Sequence, residues 1–174
     1  TGDKLCSRAG VKPLSGWNNI TATLPNMRIL ASNRGAGWHL EDANAAFAQQ
    51  ILYIVKYANW DSQTMIGTGV TNITDDYSTN MGVLTGATAG IGPAGSQDLG
   101  NSDGYVSIAH YQTGQTTYPI SLFGVENRFG NSWEWKDGLS IKADRNPWIA
   151  DHDYASDTFA HPYVDTGLTL PSSS

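Results

Sequence analysis

Cysteine is nearly absent. Cys6 is the only one in 174 residues, so neither an internal disulfide framework nor a thiolate zinc site can be built. Basic charge is scarce as well, with 10 Lys and Arg against 16 Asp and Glu for a net charge of −6. A surface that tracks phosphates needs the opposite sign, so nucleic acid is not an expected partner. Charged residues of both signs reach only 15%, beside 40% hydrophobic residues, which excludes an intrinsically disordered chain. Long apolar runs are missing too. The longest, Ile51 to Val55, falls far short of the ~20 residues that span a bilayer, and no membrane insertion is expected. No basic start leads into an apolar run, so no secretory signal is expected in this stretch.

What the chain does have is aromatic rings and turns: 6 Trp, 8 Tyr, 4 Phe and 19 Gly. Its length suits one domain, and the expectation is a single one over residues 1–174, with 1–20 as an N-terminal extension.

Three zones differ in texture. In the first, Thr23 reads as a helix cap, with Pro25 in the first turn, Met27, Ile29 and Leu30 as apolar contacts, and Gly35 and Gly37 as the stop. A longer helix opens at Glu41 and Asp42, whose charge suits the positive end of a helix dipole. Ala43, Phe47, Ile51, Ile54 and Ala58 fall in one stripe, with Leu52, Ala45 and Ala48 opposite, so this helix is expected at the centre of the core. The second zone, Thr64 to Gly104, has no sustained period and reads as an ordered loop anchored by residues such as Ile66, Val70 and Val83. The third reads as strands. Tyr105 to Tyr111 alternates, with Val106, Ile108 and His110 on one face.

The segment from Ser132 to Ile141 looks like a hairpin. A three-residue loop, Lys136 to Gly138, pairs Trp135 with Leu139 and Trp133 with Ile141, gathering the apolar residues on one side. That register requires φ > 0 at Gly138.

Several strings mimic catalytic motifs without their context. Gly90 to Gly95 matches G-x-G-x-x-G but has no strand before it or helical period after it, so it reads as a surface turn. Gly100 to Gly104 matches G-x-S-x-G, but the strand follows the turn instead of entering it. The four histidines form no H-E-x-x-H pattern. The acidic stretch from Trp148 to Asp157 is more informative. Asp151, Asp153 and Asp157 have oxygen-ligand spacing that suits a hard cation such as Ca²⁺, although the string lacks the glycine and final glutamate of an EF-hand loop. The simpler reading is a solvated acidic loop with Asp-based turns, and no cofactor is expected. Aromatics beside carboxylates also suit sugars, a ring face packing on the pyranose C–H face while carboxylates take hydroxyl protons. The candidate ligand-binding residues are Tyr111, Tyr118, Trp148, Asp151, His152, Asp153 and Tyr154.

The stretch Ser121 to Gly138, with Gly124-Val125-Glu126-Asn127 and Gly130-Asn131-Ser132-Trp133-Glu134-Trp135 followed by Asp137-Gly138, resembles the formylglycine-generating-enzyme variant of the C-type lectin fold. It is more similar to phage and prophage proteins of that fold, some of which are diversified by retroelements and bind host receptors. Gly37 to Asp42 and Asp165 to Pro171 are similar to the phage group as well. The resemblance implies an α+β, C-type-lectin-like fold, with two N-terminal helices packed on a small, mainly antiparallel sheet with long ordered loops. It assigns structural roles to Gly130, Asn131, Trp133, Trp135 and Gly138. It further implies a non-enzymatic module on a phage virion that recognises a host-surface glycan or protein, touches other virion proteins and forms homo-oligomers. A structural virion part is one alternative. A hydrolase or oxidase using Asp and His from 151–161 is the other. Two departures stand out: no "G-G-S-W" string of the family follows in this sequence, so the expectation is a shortened form of the fold or a last strand supplied by another chain, and Cys6 alone cannot provide the enzymes' cysteine pair.

Overall fold

The computed structural model describes residues 4–13, 23–73, 82–92, 102–132, 134–155 and 158–172. The elements run α1 (Leu24–Ser32), α2 (Ala43–Tyr57), α3 (Ser62–Ile66), β1 (Gly104–Tyr105), β2 (Ile108–Ala109), β3 (Thr116–Thr117), β4 (Ile120–Leu122), β5 (Val125–Glu126), β6 (Leu139–Ile141), β7 (Pro147–Ile149) and β8 (Val164–Asp165). The class is α+β, with short helices and small antiparallel sheets. Within the expected single domain the chain forms two compact units. One comprises Thr1–Leu5, Thr23–Lys56 and Glu134–Ser174, the other Cys6–Ala22 and Tyr57–Trp133.

In the first unit, α1 begins as its cap requires. Thr23 Oγ1 accepts the Asn26 N–H at 3.5 Å and Pro25 sits in the first turn. Met27 and Ala31 are buried, whereas Ile29 is exposed rather than a core contact. Asp42 starts α2 by accepting the Ala45 N–H at 2.7 Å, a capping bond that also suits the helix dipole.

The rotation of α2 contradicts the expectation of a central helix. Phe47, Ile51, Leu52 and Val55 are 61, 45, 54 and 75% exposed, and Tyr53 is the one buried residue of the helix. Ala46, Gln49 and Tyr53 form the inward side. The cause lies at the helix start. The Asp137 N–H donates to Glu41 C=O at 3.0 Å and the Ala43 N–H donates to Asp137 C=O at 2.8 Å. Gln49 Nε2 donates to Glu41 Oε1 at 2.8 Å and Lys136 Nζ pairs with the same carboxylate. These ties turn the Gln49 side inward and leave Phe47, Ile51, Leu52 and Val55 outside.

The same clasp removes the expected hairpin. Asp137 is fully buried, its carboxylate accepting from Arg28 Nε at 2.6 Å, so the residues before it do not pair with β6. Trp135 is 53% exposed and is not a core tryptophan; Trp133 lies outside the described residues. β6 instead pairs with β7, Leu139 opposite Ile149, Ser140 opposite Trp148 and Ile141 opposite Pro147, and β7 pairs with β8. The turn runs through Lys142 to Asn146, closed by the Lys142 N–H to Asn146 C=O bond at 3.0 Å. Gly138 does have a positive φ, +74°. Its reason is close approach, because a Cβ there would lie 2.5 Å from the Ala150 carbonyl oxygen.

In the second unit, Asp61 caps α3 by accepting from the Thr64 N–H at 3.0 Å, and α3 packs on β1 and β4. β4 is central, between β1 and β5. Ile66, Val70, Val83, Ile120 and Leu122 form the buried apolar core, so the loop anchors Ile66, Val70 and Val83 act as expected. The alternation from Tyr105 to Tyr111 also appears, with Val106, Ile108 and His110 turned inward and Tyr105, Ser107, Ala109 and Tyr111 outward. It is split between two sheets, β1 joining β4 and β2 joining β3.

Candidate functional site

The seven candidate binding residues fall into two groups, one in each unit. In the second unit, Tyr111 is exposed, its ring 4.6 Å from that of His110 and 5.5 Å from Lys12 Nζ. His110 is buried, and its Nδ1 accepts from the Gln112 and Thr113 N–H groups at 3.3 and 3.4 Å. That imidazole builds the turn from which Tyr111 projects. Tyr118 is half-buried and meets Tyr105 edge-on at 5.9 Å.

The first unit holds the other five, and the structure sorts them by task. Trp148 is half-buried, with Lys142 Nζ 4.4 Å over its ring and Phe159 edge-on at 5.9 Å. Tyr154 is half-buried as well, and its hydroxyl donates to Asp42 Oδ2 at 2.8 Å. Burial first, then this bond to a carboxylate, pushes the Tyr154 phenol up, out of reach of ordinary titration. The Ala45 N–H first, with the Tyr154 hydroxyl adding to it, holds the Asp42 carboxyl below the usual range against the opposing effect of burial.

Loop 150–155 is therefore clamped at both ends. The Ala150 N–H donates to Gly138 C=O at 2.9 Å. Ala155 C=O accepts from Arg28 Nη2 at 3.3 Å and from the Tyr163 hydroxyl at 3.0 Å. Between the clamps, the side chains of Asp151, His152 and Asp153 are 77, 56 and 85% exposed. Asp153 has φ +45°, a left-handed conformation that Asp tolerates better than most residues.

His152 Nδ1 lies 2.5 Å from Asp151 Oδ1, and its Nε2 lies 3.9 Å from Asp153 Oδ2. The hydrogen bond to Asp151 is the main reason the His152 imidazole is held above its usual pKa, and the same bond holds the Asp151 carboxyl low. The His161 ring stands 6.2 Å from that of His152. Such a tip offers carboxylate acceptors and a titrating N–H donor side by side, a polar set suited to hydroxyl-rich ligands. Among the described residues no three His, Cys, Asp or Glu side chains gather as a cation site. Asp157, the third residue of the expected set, lies outside the described residues.

The motif of the second unit is built differently, because its side chains are consumed by the fold. The Glu126 carboxylate accepts from the Gly86 N–H at 2.9 Å, the Thr88 N–H at 2.8 Å and the Thr88 hydroxyl at 2.7 Å. Asn127 Oδ1 accepts from the Ile120 N–H at 3.3 Å, and Asn131 Oδ1 from the Val83 N–H at 2.8 Å. Gly130 has φ +74°, and a Cβ there would lie 2.9 Å from both N and O of Val70. The residue that sequence reasoning missed is Asp137. Its one signal was its place between Lys136 and Gly138, where it passed for an ordinary turn residue.

Compared with protein-family models, curated protein sequences and solved structures, the chain matches none.

Proposed function

We propose that this chain is a non-enzymatic ligand-binding module of a phage or prophage virion, C-type-lectin-like in fold, that recognises a host-surface glycan or protein through loop 150–155. The observation that carries this reading is the contrast within that loop, whose base is fixed while its polar tip is presented to solvent. Binding side chains are commonly placed on loops that a rigid scaffold positions. Tyr111, projecting from the His110 turn, is a second contact by virtue of its exposed ring. The family reading is supported by the structural employment of Glu126, Asn127, Gly130 and Asn131. The test is a glycan array and a cell-adsorption assay with the purified protein. Binding above background that is lost in the variant D151N/H152A/D153N supports the reading; binding retained in that variant contradicts it.

A second reading, a structural virion part with no ligand of its own, is favoured by the exposed stripe on α2. Phe47, Ile51, Leu52 and Val55 have the character of a protein–protein contact rather than of a sugar site. Under it, replacing Leu52 and Val55 by serine abolishes assembly into particles, and the loop variant has no effect.

A further inference from the structure

We infer that the tip of loop 150–155 is a clasp, in which the His152 ring holds Asp151 with one nitrogen and Asp153 with the other and releases Asp153 when it loses a proton. As a control on ligand binding the clasp rests on the reading proposed above; as a property of the loop it does not.

The geometry sets both ring nitrogens against acceptors. Nδ1 is 2.5 Å from Asp151 Oδ1, a hydrogen bond, and Nε2 is 3.9 Å from Asp153 Oδ2, an ion-pair distance. A neutral imidazole carries one N–H and one lone pair, so it serves only one of the two carboxylates. The imidazolium carries two N–H groups and serves both. The backbone is shaped to the same end. Asp153 has φ +45°, which breaks the alternation of an extended segment and brings its carboxylate to the far side of the ring. The bonds of Ala150 and Ala155 fix the two ends of this arc, so opening the clasp moves side chains and leaves the scaffold in place.

Which contact lets go follows from the distances. Nδ1 has the closer partner and keeps its proton, whereas Nε2, with a distant partner in water, gives its proton up. The neutral ring is therefore the Nδ1–H tautomer, fixed by the bond to Asp151. The lone pair on Nε2 then faces the Asp153 carboxylate, and the two acceptors part. The charges around the ring agree with this order. The bond to Asp151 comes first in raising the His152 pKa, and the charges of Asp151 and Asp153 add to it against desolvation. Among the described residues two further titrating groups stand close by. The His161 ring lies 6.2 Å from that of His152, and a cation there opposes one on His152. Asp42, at the start of α2, acts on Asp151 by like-charge repulsion.

Protonation thus changes what the tip offers. With the proton on, Asp153 and Nε2 are occupied with each other. With it off, both are acceptors open to the hydroxyl groups of a ligand. Recognition of a hydroxyl-rich ligand strengthens as the pH rises through the His152 midpoint and weakens in acid.

The experiment is an NMR titration of the whole chain that follows both ring nitrogens of His152 and the carboxyl carbon of Asp153. The glycan array is repeated at about pH 5 and about pH 8, on either side of the histidine range. Nε2 is expected to be the nitrogen that loses its proton, and the Asp153 carboxyl carbon to shift at the same midpoint. Asp153→Asn lowers that midpoint and keeps the Nδ1–H form, while Asp151→Ala turns the neutral ring toward Nε2–H. Glycan binding is about fivefold stronger at the higher pH, the worth of one hydrogen bond, and the pH dependence disappears in His152→Gln. A neutral ring protonated on Nε2, or an Asp153 carboxyl carbon blind to the His152 midpoint, overturns the clasp whether or not a glycan binds. Binding that is equal at both pH values while the clasp titrates overturns its role as a control. A clasp that titrates in a protein that binds at neither pH supports the clasp and overturns only the recognition reading.

Discussion

The turn at 124–131 and the loop at 150–155 are both short, both rich in polar residues and both dependent on a positive φ. They spend those residues in opposite ways. In the first, the carboxylate of Glu126 and the amides of Asn127 and Asn131 each hold a backbone N–H of another segment. In the second, the holding is done by residues at the ends, Tyr154 and the carbonyl of Ala155, and among the described residues the tip side chains pair with one another. A polar side chain can be committed to the fold or available to a ligand, and the difference is visible in what it touches. Buried polar groups with partners contribute stability that is lost on truncation, whereas exposed pairs contribute little.

Substitutions in the two regions should separate along this line. The largest loss is expected from Gly130→Ala. The new methyl group would meet the Val70 backbone at 2.9 Å while φ is +74°, and denaturant unfolding should show a loss of about 3 kcal/mol. Glu126→Ala strands the three donors of Gly86 and Thr88 and should cost about 2 kcal/mol by the same measurement. If either variant unfolds like the wild type, the motif is not the scaffold described here.

At the base of the loop, Tyr154→Phe deletes one hydrogen bond to the Asp42 cap, a loss of about 1 kcal/mol. Asp42 has a lowered pKa in the fold, so its contribution is present above its unfolded value of 3.8 and fades as the pH falls through the lower folded one. The Tyr154→Phe penalty should therefore shrink in acid. A penalty that grows instead would place the bond elsewhere.

The smallest effect is on titration rather than on stability. His152 has a raised pKa; its pairing with Asp151 is complete below the unfolded value of 6.5 and is lost as the pH rises through the folded value. NMR titration should give a His152 midpoint above 6.5, returning toward 6.5 in Asp151→Asn. A midpoint that does not move on that substitution would separate the two side chains.

Much of this was legible in the residues wherever one local rule acts alone. Thr23 and Pro25 start α1, Asp42 starts α2, and the period of two from Tyr105 to Tyr111 sorts inward from outward side chains. The left-handed φ of Gly138 agrees with the expectation, but the hairpin loop from which it was expected does not form. The rotation of α2 was not, because its sequence is apolar on two sides, and the choice between them is made by Glu41 and Ala43 bonding to Lys136 and Asp137, almost a hundred positions away. The pairing of β6 was hidden for the same reason, since a buried Asp137 bonded to Arg28 pulls the preceding segment out of the sheet. At the candidate site, the acidic loop was legible from its composition. That Trp148 and Tyr154 support it, while Asp151, His152 and Asp153 face outward, depended on contacts made by distant segments.

The account is tested most directly by measuring ligand binding and thermal unfolding together on the variant D151N/H152A/D153N. It predicts an unfolding midpoint indistinguishable from that of the wild type, with glycan-array and cell-adsorption signals reduced to background. A lowered midpoint with binding intact would contradict it, because the tip would then belong to the scaffold and the recognition surface would lie elsewhere.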